Sequence, residues 1–242
     1  FFFLQNEVND KYKIILNFTL IIILFSILIT GERSAFYKSV LLFMLLFYFI
    51  DEQKLFIKKI YLLILIISLL VPLVMIFPNI IYKQTEFFKR VLIVKNPDSI
   101  SKRFENIKYF QHYDTAIEIF KNNKVNGIGN KNFRFECLKG KYFKENSKFT
   151  HHRCSTHPHQ IHFELLSEQG LVGYLIFIFF LFSYFKKKFF IDLREKNIFK
   201  ITTNFYLIIF LIPVLPSGSL LSTFNGLLFW FFLGLSNLKK ME

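Results

Sequence analysis

The sequence predicts an all-α integral membrane protein, with about six transmembrane helices and one large, partly helical loop outside the membrane. The first observation is composition: 53% of the 242 residues are hydrophobic, and the mean hydropathy is +0.38. Soluble domains of this length are less apolar. The second observation is that the charged residues, 20% of the chain, are clustered. Stretches that are able to cross a bilayer therefore alternate with stretches that are not.

Three apolar runs, at about 13–30, 36–50 and 60–77, predict three membrane spans in the first part of the chain, 1–77. The first run has close to the minimum length for crossing a hydrocarbon core. GERSA separates the first two runs, and DEQKLFIKK separates the second from the third. The chain opens with FFFL and has neither an initiator Met nor the pattern of a signal peptide. We therefore expect further membrane helices upstream.

The segment 78–156 forms the large loop and carries 16 basic and 7 acidic residues. Apolar residues recur at helical spacing in ENIKYFQHYDTAIEIF, which predicts an amphipathic helix ending at the turn-forming KNNKVNGIGN. The excess of positive charge favours anionic partners, and no nucleic-acid-binding module accompanies it, so we expect no nucleic acid partner. The last part, 157–242, contains three more predicted spans, at about 163–185, 201–215 and 220–235.

Lysines and arginines in the short connections predict which face of the membrane each connection occupies. They collect at 54–59, 186–200 and 239–240, which we assign to the cytoplasm. GERSA, the large loop and PSGS (216–219) would then meet on the opposite, oxidising face. Cys137 and Cys154 both lie in that loop. A disulfide between them would stabilise the fold by about 3 kcal/mol, and two free thiols are the alternative.

Five of the six histidines fall between residues 151 and 162. A metal centre is one interpretation, but HExxH and CxxC spacings are absent from the sequence. A second is that the histidines only decorate a polar helix end. In the third, a neutral imidazole acts as a general base, because the unperturbed pKa is near 6.5. Pro158 suits a first helical turn, which predicts His159 at a helix N-terminus, where imidazolium is disfavoured.

Three other features bear on chemistry. Arg33 and Arg103 could each grip a diphosphate bidentately, although an interfacial anchor and a loop charge are the alternatives. GIGNKNFR contains GxG but neither the third glycine of a dinucleotide site nor a Walker GK, so we interpret it as a turn. Gly170 and Gly173 predict the close approach of another helix.

Four motifs occur in order: GERSA after a span, SKRFENIKYFQHYDTAIEIF, GIGNKNF, and THPHQIHFELLSEQGLVG leading into a span. Together they resemble the O-antigen ligase and polymerase superfamily of bacterial envelope glycosyltransferases, over about residues 14–236, as the C-terminal part of such a protein. The last motif is similar to the family's HxHN pattern, followed by LL, E and two glycines. Gln160 stands where the family has Asn.

The resemblance implies a transferase that needs no metal or other cofactor and works on the periplasmic face of the bacterial inner membrane. The donor would be a glycan on undecaprenyl diphosphate. The acceptor would be lipid A core for a ligase, a lipid-linked glycan for a polymerase, or a protein. The residues that match are His159 as the base and Arg33 and Arg103 as the diphosphate clamp, with His157, Gln160 and Glu164 as further candidates. A polysaccharide transporter is the non-enzyme alternative, which intramembrane charges would favour.

Overall fold

The protein is described by a computed structural model that covers 32–49, 108–142, 152–195, 197–213 and 215–237, together with eight positions between 19 and 30. These residues form helices and turns, and no strand occurs among them. The helices are α1 (Arg33–Phe49), α2 (Lys108–Asn122), α3 (Phe133–Glu136), α4 (Ile161–Arg194), α5 (Ile198–Phe210) and α6 (Thr223–Leu235). The predicted third span, 60–77, lies outside the described residues, as does Arg103.

Helix α4 is the one helix in the described part of the chain that is long and apolar enough to cross a membrane. It has 34 residues, whereas α5 and α6 are shorter apolar helices of 13 residues each. We expected the lysines at 186–188 to end this span, but the helix continues through them to Arg194. Lysine is a good helix former and its stem packs along apolar surface, so charge alone does not stop a helix.

Helices α4, α5 and α6 pack around one apolar core, which includes Phe177, Leu207 and Phe229. Their outward-facing side chains are also apolar. Phe179 and Phe190 on α4, for example, are 72% and 67% exposed. Such a surface is unfavourable in water and suits a hydrocarbon environment. Helix α1 packs against α5 and extends this assembly.

The amphipathic helix is confirmed as α2, with each end displaced by two or three residues from the prediction. Its buried face includes Ala116 and Ile119, which form a second core with Phe133, Cys137 and Tyr142. Helix α2 packs against α4, where the ring of Tyr113 stacks on that of Phe163 at a centroid distance of 4.7 Å. The segment outside the apolar helices is therefore a small packed unit attached to the N-terminal end of α4.

A break at Gly170 divides α4, because this residue has φ 65° and ψ −167°. The break frees backbone groups that the turn after α2 then satisfies. Four hydrogen bonds join the two: Leu171 N–H to Lys124 O (2.8 Å), Val172 N–H to Val125 O (3.2 Å), Ile128 N–H to Ser167 O (3.1 Å) and Gly129 N–H to Glu168 O (2.8 Å). We expected Gly170 to admit a helix, and this expectation is wrong: a turn approaches it instead.

The glycines of the two motifs are required by this approach. A Cβ on Gly170 would lie 2.3 Å from the carbonyl oxygen of Val125, and one on Gly127 would lie 2.4 Å from that of Glu168. Both glycines also have positive φ, which L residues with side chains rarely adopt. GIGN is thus a turn, as predicted, and its partner is the break in α4.

Candidate functional site

Three imidazoles converge beside the N-terminus of α4. His157 and His159 lie in the segment before the helix, and their ring centroids are 4.3 Å apart. His112 comes from α2, with its centroid 5.1 Å from that of His159. Sequence reasoning missed His112. The signal available was that it lies four residues before Ala116, on the buried face of the amphipathic helix.

The His159 imidazole is half-buried and contacts a hydroxyl group. Its Nε2 lies 2.9 Å from Ser155 Oγ, and the edge-to-face ring of Tyr109 has its centroid 5.4 Å away. Burial lowers the pKa of His159 below the ordinary value of 6.5. The ring is therefore neutral near pH 7 and carries a lone pair, as a general base requires.

His159 is not in the first helical turn, where Pro158 led us to expect it. Helix α4 begins at Ile161, and His159 has φ 60°, in the left-handed region. The cap is Gln160, whose Oε1 accepts hydrogen bonds from the N–H groups of His162 (2.7 Å) and Phe163 (3.2 Å). A side-chain amide that accepts from these two N–H groups sets the N-terminus of the helix at Ile161. The cap outweighs the preference of proline for the first turn.

Both polar atoms of the Gln160 amide hold backbone groups. Besides capping α4 through Oε1, it donates from Nε2 to the Ile212 carbonyl at 3.3 Å. Only 1% of the residue is exposed. Gln160 thus orients the turn that carries His159, and its substitution for Asn retains a side-chain amide in the capping position.

His162 and Glu164 also serve the framework. His162 Nε2 donates to the Leu211 carbonyl at 2.7 Å, and its Nδ1 accepts from the Tyr174 hydroxyl at 3.1 Å, so both ring nitrogens are occupied. The buried Glu164 carboxylate accepts from the Ser219 hydroxyl and from the Leu220 N–H at 2.8 Å. These contacts attach the connection between α5 and α6 to the first turns of α4.

That connection joins α1 to residues 152–160, the histidine segment that precedes α4. The Pro216 carbonyl accepts from Ser34 Oγ and from Lys38 Nζ at 2.9 Å, both on α1. The next residue, Ser217, donates its N–H to the His159 carbonyl at 2.7 Å. Arg33 is the first residue of α1 and precedes Ser34. The three sequence motifs GERSA, PSGS and THPH are thus joined by hydrogen bonds to backbone carbonyls, donated by side chains of α1 and by the Ser217 N–H.

A buried arginine, which sequence reasoning also missed, fixes the start of the histidine segment. Arg153 is 2% exposed, with Nη2 2.8 Å from Asp114 Oδ2 and Nε donating to Thr115 Oγ1 at 3.0 Å. Its carbonyl accepts from His112 Nδ1 at 3.3 Å. In the next position, Cys154 forms a disulfide with Cys137, with 5.3 Å between their Cα atoms. The segment is therefore anchored to α2 and to the residue that follows α3.

Burial and neighbouring imidazoles lower the pKa of His112 and of His157 to about 4. Arg134 on α3 also contributes to the lowering at His157. All three rings of the cluster are thus neutral near pH 7. No group of three His, Cys, Asp or Glu side chains within the described segments has the geometry of a metal site.

Comparison with protein families matches residues 18–178 to the O-antigen ligase family. The match covers about two thirds of the 242 residues and includes α1, α2, α3 and the histidine segment. No curated protein matches the chain, and no solved structure does.

Proposed function

Because this chain belongs to the O-antigen ligase family, we propose that it transfers a glycan from an undecaprenyl diphosphate carrier to a saccharide hydroxyl of lipid A core. The family consists of glycosyltransferase-like ligases and polymerases that are integral to bacterial membranes. One observation carries the proposal: a neutral, half-buried imidazole, that of His159, has its Nε2 2.9 Å from a hydroxyl oxygen. The acceptor hydroxyl would take the position that Ser155 Oγ occupies.

In the proposed reaction, His159 Nε2 takes the proton of the acceptor hydroxyl while its oxygen attacks the anomeric carbon of the donor glycan. A new carbon–oxygen bond forms as the bond from that carbon to the diphosphate breaks. The diphosphate leaves with the electron pair, and Arg33 and Arg103 would stabilise its charge. Sugar chemistry of this kind requires a base and a stabilised leaving group, and it needs no redox cofactor.

The neighbours of the two arginines in the chain support their assignment to the diphosphate. Ser34, next to Arg33, shares the Pro216–Ser217 connection with His159. Arg103 precedes Tyr109 by six residues, and the Tyr109 ring contacts that of His159.

The reaction would take place on the periplasmic face of the inner membrane. After the break at Gly170, α4 continues for 24 residues, from Leu171 to Arg194. At 1.5 Å per residue this segment is about 36 Å long, of which the apolar run before Lys186 takes about 22 Å, and the lysine stems extend the part that is compatible with lipid. Its basic end, which includes Lys186 and Arg194, would face the cytoplasm. Reporter fusions that place residue 187 outside the cytoplasm would contradict this orientation.

The base is tested by His159→Ala in a strain that lacks the chromosomal gene. We expect glycan transfer to fall by about 100- to 10,000-fold, the usual contribution of a general base. His152→Ala is the matched control, because His152 is an exposed histidine of the same segment. Retention of normal transfer by His159→Ala would show that this imidazole is not the base.

The same strain separates the reaction types. Loss of glycan-capped lipid A core identifies a ligase, and loss of lengthened lipid-linked glycan identifies a polymerase. Charge reversal at Arg33 or Arg103 should abolish transfer, while lysine should retain part of it because the positive charge remains. Full activity in a charge-reversed variant would contradict a role of that arginine in binding the diphosphate and would favour a structural role.

A further inference from the structure

We infer that Tyr109, His112 and His157 form a binding subsite for a saccharide ring beside His159. The use of this subsite in transfer rests on the proposed function, but its capacity to bind a sugar does not. Two imidazole nitrogens and one partly exposed aromatic ring carry the inference. None of the three residues belongs to the base and clamp described above.

The tautomer of His112 is fixed by its neighbour. Its Nδ1 lies 3.3 Å from the Arg153 carbonyl, which only accepts hydrogen bonds, so the proton is on Nδ1. In the neutral ring Nε2 then carries a lone pair. His112 is 8% exposed, and no described residue forms a hydrogen bond with Nε2. This nitrogen is therefore able to accept a hydrogen bond from a ligand.

His157 provides the second nitrogen. Its Nδ1 lies 3.0 Å from Thr156 Oγ1, while its Nε2 is buried and has no hydrogen-bond partner among the described residues. A buried polar atom without a partner costs about 1–3 kcal/mol. A ligand hydroxyl would remove this cost, since a hydroxyl both donates and accepts. The His159 ring lies between the two, at 4.3 Å from His157 and 5.1 Å from His112.

Tyr109 forms the outer wall of the cluster. It lies on the first turn of α2, is 41% exposed, and its ring centroid is 6.4 Å from that of His112. One helical turn further on, the stacking of Tyr113 on Phe163 fixes α2 against α4 and so fixes this wall. An exposed aromatic face next to hydrogen-bonding nitrogens has both properties that a sugar ring recognises: an apolar surface for its C–H face and partners for its hydroxyls.

The charge state of the cluster selects among ligands. Rings with pKa values near 4 are neutral at pH 7, so His112 and His157 would not attract a phosphate by charge. A neutral polyhydroxylated ring fits them better than the diphosphate of the carrier does. The subsite would therefore hold a sugar next to the base, with a hydroxyl of that sugar directed at His159.

The test measures binding without catalysis. The full-length protein in lipid nanodiscs is titrated with the methyl α-pyranosides of glucose, galactose and mannose, and saturation-transfer NMR reports binding. We expect Tyr109→Ala and His112→Asn to weaken binding of the preferred glycoside about two- to tenfold, the effect of losing one contact of this kind. Asparagine can keep the hydrogen bond to the Arg153 carbonyl but lacks a group at the Nε2 position.

Two variants serve as controls. Tyr109→Phe keeps the aromatic ring and should bind as the unmodified protein does. Phe135→Ala removes another exposed aromatic residue, 67% exposed on α3, and should leave glycoside binding unchanged. Thermal unfolding and the Cys137–Cys154 disulfide are checked in each variant, so that misfolding is recognised. Tyr109 is an exposed side chain, and its replacement keeps the test valid if His112→Asn is unstable.

The outcomes separate the subsite from the proposed function. Absence of saturation transfer from the unmodified protein to all three glycosides overturns the subsite, as does undiminished binding in folded Tyr109→Ala. His159→Ala should still bind glycoside while it loses glycan transfer. If the unmodified protein shows no transfer activity but glycoside binding depends on Tyr109, the proposed function fails and the subsite remains.

Discussion

The two parts of α4 on either side of Gly170 differ in the polar groups that they bury and in the surface that they expose. Before the break, Glu164, Ser167 and Glu168 are at most 1% exposed. The Glu168 carboxylate accepts hydrogen bonds from the backbone N–H groups of Lys131 and Phe133. The Glu164 carboxylate accepts one from the N–H of Leu220, in the connection before α6. After the break, phenylalanines face outward along the helix. One helix therefore has buried, hydrogen-bonded polar groups before the break and an apolar exterior after it.

The two parts therefore place different requirements on the amino-acid sequence. The part before the break depends on hydrogen bonds to specific partners, so that a change at one position leaves a buried group unsatisfied. The part after the break depends on apolar packing inward and on compatibility with lipid outward. Its outer face should accept many apolar residues, whereas its inner face should not.

The strongest test of the difference uses two phenylalanines of the apolar part. Phe177 is buried against Phe229, while Phe179, two residues later, is 72% exposed. We expect Phe177→Ala to lower the free energy of unfolding by about 3–5 kcal/mol through the loss of buried contacts. Phe179→Ala should change it by no more than about 0.5 kcal/mol. Equal effects, measured by thermal unfolding in one detergent, would show that the outward face is packed after all.

The boundary between the two parts is tested at the break itself. Gly170→Ala forces a side chain into positive φ and against the Val125 carbonyl, and we expect a loss of at least about 2 kcal/mol. Gly234→Ala in α6 is the control, because a Cβ there meets nothing within 4 Å. That change should stabilise the helix by about 1 kcal/mol. Equal melting temperatures for the two variants would mean that the break is dispensable.

The smallest expected effect is a dependence of stability on pH. Folding lowers the pKa of His112 and His157 to about 4. Below about pH 6.5 these two imidazoles are therefore protonated in the unfolded chain before they are protonated in the folded protein, so the protein takes up protons when it unfolds. The part of the stability that depends on these two imidazoles should thus be constant above about pH 6.5 and fall as the pH is lowered from there to 4. Burial raises the pKa of Glu164 to about 7, and this contribution favours the folded state as the pH falls through the same range. Allowing for solvent screening, we expect about 1 kcal/mol per histidine at pH 5.

His112→Asn checks the origin of this pH dependence. The variant should lose less stability than the unmodified protein when the pH is lowered from 7 to 5, as measured by thermal unfolding. Backbone hydrogen exchange should increase first in α2 and the histidine segment, and α5 and α6 should follow only on global unfolding. An identical acid response in the variant would assign the effect to other groups.

The fold was more accessible to sequence reasoning than the site was. Apolar runs predicted α1, α4, α5 and α6, and periodicity predicted α2, because these patterns depend on local composition. The lysines at 186–188, which were predicted to close the span, do not end the helix that carries it. The position of His159 was misjudged because the Gln160 side chain, and not Pro158, determines where the helix starts.

The contacts of His112 and Arg153 could not be deduced from local patterns. Each is buried through contacts with residues about 40 positions away, Arg153 with Asp114 and Thr115 and His112 with the Arg153 carbonyl. Only the packing of α2 against the histidine segment brings these groups together. His159 was predicted as the base from its motif alone, because that motif is local.

The position of the break at Gly170 also sets the distance between His159 and the apolar segment of α4. Ten residues of α4, Ile161 to Gly170, precede the apolar segment and extend about 15 Å along the helix axis. The headgroup layer of one leaflet is only about 5–8 Å thick. With the segment from Ile161 to Gly170 directed along the membrane normal, the imidazole of His159 would therefore lie beyond the lipid headgroups, at a height set by the length of that segment.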